Sequence, residues 1–379
     1  MIMGELKLYS SEIIKYYYFI ALVSLCWILI GALNDNDIRA LSDAFRLYII
    51  FSAIYLLLVI YISNRDFYSN ILSITSLSAI LIAFISFYTV IDVVYNLESI
   101  PLVIKDEMYL QVGIHDGYTH LNNINIGMYC FLVPFLLSFV IMDDGKKNTI
   151  ILFALFLSIL AVLLASRRII VFLIMLVPFL CVIVDLFITT KLNIMLCAKV
   201  LKIYLVFFVL LIIILSINYY LDLFDLKGVF NRITDALIYD EGSARQTQFL
   251  SLINGFYENP ILGSGFGGEA SVIRSVERPW NYELTYSKLL FNAGIVGSLL
   301  IFSLFSYYVL ITFKMCRLNK RYHSINVSLM VGFFSVLIAS ASNPYLGSFD
   351  YLFVFSILPL IINLTKRDMK RGYLGSVLN

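Results

Sequence analysis

Long apolar runs separated by short polar gaps dominate the chain. Many reach 18 residues or more, enough to cross the roughly 30 Å hydrocarbon core of a bilayer as a helix. The pattern predicts ten spans, at about 16–33, 46–63, 71–94, 124–142, 149–166, 168–190, 199–218, 284–312, 324–342 and 350–364. The expected fold is an all-α polytopic membrane protein of about 10 transmembrane helices (range 10–12), a single integral membrane domain over residues 1–379. One polar pair interrupts the longest apolar run: Arg167 and Arg168 in "LLASRRIIVF". An arginine at the bilayer centre costs about 2.5–3.5 kcal/mol even on the lenient insertion scale. The pair therefore marks a tight turn between two spans. Pro178 and Pro359 fall inside spans, where neighbouring helices re-satisfy the backbone of a kink.

Two loops hold most of the polar residues, one at 95–123 and one at 219–283, with one amphipathic helix expected in the second, at about 243–257. There Ser243 and Gln246 make a capping-box pattern, Phe249, Leu250, Ile253 and Phe256 recur at helical spacing, and Asn259-Pro260 closes the segment. Arg245 falls in the first turn, where a cation opposes the helix dipole, so its role is expected to be other than helix stability. "GSGFGG" (263–268) superficially resembles a phosphate-cradling loop. Nucleotide fingerprints need a strand before and a helix after within a βαβ unit, which is missing here. A tight turn bringing backbone close to a sugar or another helix is the expected reading.

Composition agrees with a membrane class: 61% of residues are hydrophobic and 14% charged, against about half and a quarter in soluble domains. The net charge of +2 says little about partners, and no nucleic-acid partner is expected. The first apolar segment is too long for a cleavable signal. Lys314, Arg317, Lys320, Arg321, Lys366, Arg367, Lys370 and Arg371 cluster in two short stretches, which the positive-inside rule places in the cytoplasm. Both termini then lie inside, and the two long loops and the Arg167–Arg168 turn lie outside. The five cysteines fall in spans or on the cytoplasmic side, so no structural disulfide is expected. Asp185 reads as a boundary carboxylate near the cytoplasmic end, and His115, Asp116 and His120 as ordinary loop residues.

Ser166-Arg167, then Arg245 opening a loop helix, then Pro260 with "ILGSGFGG", then "ELTYSKLLFNAGIVG" (283–297) occur in that order. In this the chain resembles the bacterial O-antigen polymerases and O-antigen ligases, over roughly residues 150–310 in motif terms. The family's histidine position falls on Glu283, a departure that favours a polymerase over a ligase. The resemblance implies inverting, metal-independent glycosyl transfer, without a cofactor, at the outer face of a bacterial inner membrane. Donor and acceptor would be undecaprenyl-diphosphate-linked glycans, joined into O-antigen or capsule. A chain-length regulator and other assembly proteins would be membrane partners. Arginine suits a diphosphate because its planar fork binds phosphate oxygens bidentately and stays charged. Arg167, Arg168, Arg245, Arg274 and Arg278 are the diphosphate candidates, Glu283 the candidate base, and Tyr286 and Lys288 the candidates for substrate contact. The alternatives are a polysaccharide flippase or transporter, or a ligase.

Overall fold

A computed structural model describes residues 2–63, 67–108, 110–115, 118–143, 148–165, 167–221 and 244–377. The chain is an all-α polytopic membrane protein. Among the described residues, eight helical segments are long and apolar enough to span a bilayer. They are α1 (Ile2–Leu33, apolar from Ile13), α2 (Ile38–Ser63), α3 (Phe67–Val94), α5 (Tyr129–Met142 with the turn before it), α7 (Arg168–Thr189), α10 (Thr285–Leu318), α11 (His323–Ala339 with the turn before it) and α12 (Phe349–Val377, apolar to Met369). The shorter apolar α6 (Thr149–Leu164) and the 28-residue α8 (Ile194–Leu221) take the two remaining predicted positions.

The centre of the bundle is α5. Its residues from Tyr129 to Leu136 are all buried, because it packs against α3, α6, α7 and α11 on every side. Pro134 sits within it at no cost to a lipid-facing backbone, since neighbours surround it. Around this core the outer helices present leucine, isoleucine and phenylalanine outward; Phe302, for example, is 70% exposed. In a bilayer those side chains meet hydrocarbon.

Three details depart from the sequence pattern. Helix α2 begins at Ile38 rather than 46, because Asp37 caps it, accepting from the Arg39 amide at 2.8 Å. The helix also passes through a π-helical turn at Arg46–Phe51. Segment 95–123 is partly ordered by a short helix, α4 (Leu102–Glu107), and a hairpin of β1 (Gln111–His115) and β2 (Tyr118–Asn122), in antiparallel register with Gln111 opposite Asn122. Asp116, Gly117 and the side chains of His115 and His120 lie outside the described residues. The loop is tied to α3 by Asp92, which pairs with Lys105 at 2.8 Å and accepts from the Ser99 amide at 2.8 Å.

Arg167 and Arg168 do stand at a turn: Arg167 occupies the N-cap position of α7 and Arg168 is its first residue. Asp185 is buried and meets His323 of α11 at 2.7 Å. Beside that pair the Arg317 guanidinium donates to the carbonyls of Phe187 and Ile188, both at 2.8 Å, satisfying the last turn of α7.

Candidate functional site

The site begins with a break in α10. Gly294 has φ 60° and ψ −167°, which no helix accommodates. The backbone groups freed there are taken by the preceding loop. Ser264 and Gly265 donate their amides to the carbonyls of Phe291 (3.0 Å) and Asn292 (2.9 Å), while Ile295 and Val296 donate to Pro260 (2.9 Å) and Ile261 (3.1 Å). The "GSGFGG" turn is thus a docking element that brings backbone against two helices. Gly265, with φ +78°, packs so closely on α1 that a Cβ would lie 2.2 Å from the Gly31 nitrogen. Trp27 of α1 holds the loop from both ends: its carbonyl accepts from the Phe266 amide (3.1 Å), and its indole donates to the Leu262 carbonyl (2.9 Å). Asn36 donates to the carbonyls of Ser264 (3.0 Å) and Phe266 (2.9 Å).

On this platform lies α9 (Ala244–Glu258). Its predicted apolar face is reversed in part. Gln248, Ser251 and Leu252 are buried, whereas Phe249 and Leu250 are exposed. Polar partners explain the reversal. Ser251 shares a hydrogen bond with Ser271 and accepts from the Val272 amide, both at 2.9 Å, and Gln248 accepts from the Glu283 amide at 3.2 Å. Ser243, the expected cap, lies outside the described residues, as does all of 222–243 in the predicted loop 219–283.

Glu283 is the hub. Arg245 donates its Nε to Oε2 at 2.7 Å, and Arg274 places Nη2 2.9 Å from Oε1. Each carboxylate oxygen thus holds one guanidinium. Three of the candidate residues, from the start of α9, the loop and the mouth of α10, come together. The next residue back, Tyr282, is buried, and its hydroxyl accepts from the Ala270 amide at 2.6 Å. Burial raises the Tyr282 hydroxyl above its usual pKa; the Ala270 bond opposes this and the Glu269 carboxylate adds to it.

Below the hub a cavity of about 850 Å³ opens between α1, α2, α10, α11 and α12. Arg278, Tyr286 and Lys288 line it, together with the Arg46–Asp43 pair (2.7 Å), which the apolar pattern alone did not disclose. The i, i+3 spacing of Asp43 and Arg46 on a helix capped by Asp37 was the available signal. Tyr286 spends its hydroxyl on the Leu337 carbonyl at 2.5 Å, leaving its ring to the cavity. Trp280, also on the wall, lies under the guanidinium of Arg39 at 5.2 Å.

Arg167 joins neither the hub nor the cavity wall. Its charge is felt at Cys130, Tyr345 and Tyr351, and Tyr345 sits in the turn whose Pro344, Leu346 and Gly347 face the cavity. Burial raises the Tyr345 hydroxyl well above its usual pKa, and the Arg167 charge opposes that rise. Thr285 bridges the two regions, donating to the Asn343 carbonyl at 3.2 Å. Arg168 is exposed. Among the described residues no group of three His, Cys, Asp or Glu side chains could hold a metal ion. No protein-family model matches the chain, and no curated protein matches it.

Proposed function

We propose that the chain is a membrane glycosyltransferase, a polymerase that joins undecaprenyl-diphosphate-linked oligosaccharide repeat units at the outer face of a bacterial inner membrane. The observation that carries this is the Glu283 carboxylate held between Arg245 and Arg274 above a cavity bearing Arg278 and Lys288. Sugar transfer from a lipid diphosphate needs cations to offset the developing charge on the leaving group and a base for the acceptor hydroxyl. The cluster supplies both kinds of group within hydrogen-bond reach of one another. In an inverting displacement the acceptor oxygen bonds to the anomeric carbon while the bond from that carbon to the diphosphate oxygen breaks. The hydroxyl proton passes to Glu283, and the arginines receive the diphosphate. In the form described here both guanidinium groups rest on the carboxylate; an incoming diphosphate competes for them and frees an oxygen for the proton.

A broken helix near a binding site is also a mark of transporters. Here the backbone groups at the Gly294 break are engaged by Pro260–Gly265 rather than turned toward a cargo, which favours the enzyme. The test is glycan length in cells whose own gene is deleted. Restoring the chain should restore long glycan, and the deletion should leave a single repeat unit on the normal carrier. Lipid-linked units trapped on the cytoplasmic side would identify a flippase instead, and long unattached chains a ligase.

A further inference from the structure

Helix α9 has three faces. At about 3.6 residues per turn, Gln248, Ser251 and Leu252 share one arc of about 100° and are buried against the loop. Thr247, Asn254 and Glu258 share a second arc and are exposed. Phe249, Leu250, Ile253 and Tyr257 share a third, again about 100° wide. There Phe249, Leu250 and Tyr257 are exposed and Ile253 is half-buried. Gln246, in the first turn, is the one polar side chain of that arc among the described residues. The uncovered surface of α9 is thus sorted into a polar and an apolar sector, the division expected of a helix at a boundary between water and lipid.

The apolar sector continues past the helix end. Ile261 and Leu262, just beyond Pro260, are exposed. Their segment is bonded to α10, where the Ile295 amide donates to the Pro260 carbonyl at 2.9 Å and the Val296 amide to the Ile261 carbonyl at 3.1 Å. Ile295, Val296 and Leu299 are themselves exposed on a spanning helix, so the stripe joins a lipid-facing surface. Helix α10 also sets the level of this junction. From Ile295 to Lys314 it runs unbroken, roughly 28 Å at a rise of about 1.5 Å per residue. That is close to the roughly 30 Å hydrocarbon core. With Lys314 and Arg317 at one boundary, the Gly294 break lies at the other. Helix α1 agrees, since Gly265 packs on Gly31, close to the end of α1 at Leu33.

We infer that α9 is a membrane anchor, its stripe from Phe249 to Tyr257 and the following Ile261 and Leu262 set into the bilayer leaflet at that end, with Asn254 and Glu258 in water. The end at Tyr257 and Ile261, joined to α10 at the break, lies deepest. A tyrosine suits that level, with its ring among lipid chains and its hydroxyl at the headgroups. The apolar arc carries no lysine or arginine, so the partner it fits is the acyl region of the bulk bilayer rather than an anionic headgroup. Because Arg245 and Gln248 bond α9 to Glu283, the anchor holds that cluster at a fixed height over the membrane. The anchoring does not depend on the reaction proposed above, and either can fail alone.

The experiment compares Tyr257→Trp, Ile261→Trp and Asn254→Trp in the full chain, held in phosphatidylcholine nanodiscs with or without lipid brominated near the top of the acyl chain. Trp27 and Trp280 are buried, and the parent chain gives their background emission. Emission gained in Tyr257→Trp and Ile261→Trp should fall roughly twofold with brominated lipid, at the depth of an inserted interfacial helix, and change little with iodide. Asn254→Trp should show the reverse. Quenching of Tyr257→Trp by iodide as readily as Asn254→Trp would put the stripe in water. Shielding from both quenchers would put protein over it, a second copy or another partner. Equal quenching by lipid at Asn254 and Tyr257 would remove the division into two sectors. Each of these results overturns the proposal. Thermal unfolding screens the variants, and should Tyr257→Trp unfold early, Ile261→Trp decides by the same outcomes.

Discussion

Arg245 and Glu283, 38 residues apart in sequence, meet through Nε and Oε2 at 2.7 Å, with Arg274 on the other carboxylate oxygen. Arg245 is 54% exposed on its side chain and Arg274 44%, so the geometry is not that of a buried ion pair. Exposed pairs contribute only about 0.2–1 kcal/mol to stability. Two arginines converging on one carboxylate therefore do little for the fold and much for the local field.

Stability and activity should consequently separate at this cluster. Glu283→Gln is expected to lower glycan extension by roughly 10²–10⁴-fold, the usual cost of losing a general base. Its melting temperature should stay close to that of the parent, since the amide keeps one acceptor. Extension rates on purified lipid-linked repeat units, beside thermal unfolding in detergent, check this. Long glycan made by Glu283→Gln would remove Glu283 as the base.

Arg245 and Arg168 should differ from each other in the same assay. Arg245→Lys keeps a charge but loses the planar fork, so a fall in rate of about tenfold or more with little change in stability is expected. Arg168→Gln, at the exposed start of α7, should be close to neutral. Parallel rate measurements on the variants decide; equal loss at Arg168 and Arg245 would contradict the cluster.

The "GSGFGG" turn carries a prediction about folding. Gly265→Ala places a Cβ 2.2 Å from the Gly31 nitrogen at φ +78°. The left-handed backbone costs about 1–2 kcal/mol and overpacking about 1–3 kcal/mol. The variant should therefore lose protection from hydrogen exchange over 244–296 and unfold at lower temperature. Gly113→Ala, whose Cβ meets nothing within 4 Å, is the control and should be neutral.

Much of this was legible in the chain, and the parts that were not have physical reasons. Apolar run length located the helices because the bilayer imposes a fixed thickness. Run length alone missed Ile38–Phe45, where an amphipathic turn feeds a span without being part of its apolar stretch. The face of α9 was misassigned because periodicity alone cannot see hydrogen-bond partners: Leu250 and Phe249 stay exposed while Gln248 and Ser251 find buried partners. The hairpin at Gln111–Asn122 had a signal in Asp116-Gly117, a dipeptide favoured in tight turns. The motifs that carry the resemblance nominated Arg245, Arg274 and Glu283 together with Arg167, Arg168 and Arg278. They could not distinguish Arg274, which reaches the carboxylate, from Arg278, which faces the cavity, because both sit in irregular chain without a periodic face.

Asp185 shows the opposite kind of acid. Its carboxylate is 2% exposed and bonded to His323 at 2.7 Å, beside the carbonyl-capping Arg317. No candidate site residue touches it, so its work is to join α7 to α11. Asp185→Leu leaves the His323 ring without its partner and should cost about 1–3 kcal/mol, while Asp185→Asn, which keeps an acceptor oxygen, should cost less. Glycan made per folded molecule should be unchanged in both, because the loss acts on how many chains fold rather than on the reaction. Immunoblot abundance set against glycan length separates the two effects; a short-chain phenotype at normal abundance would give Asp185 a part in the reaction.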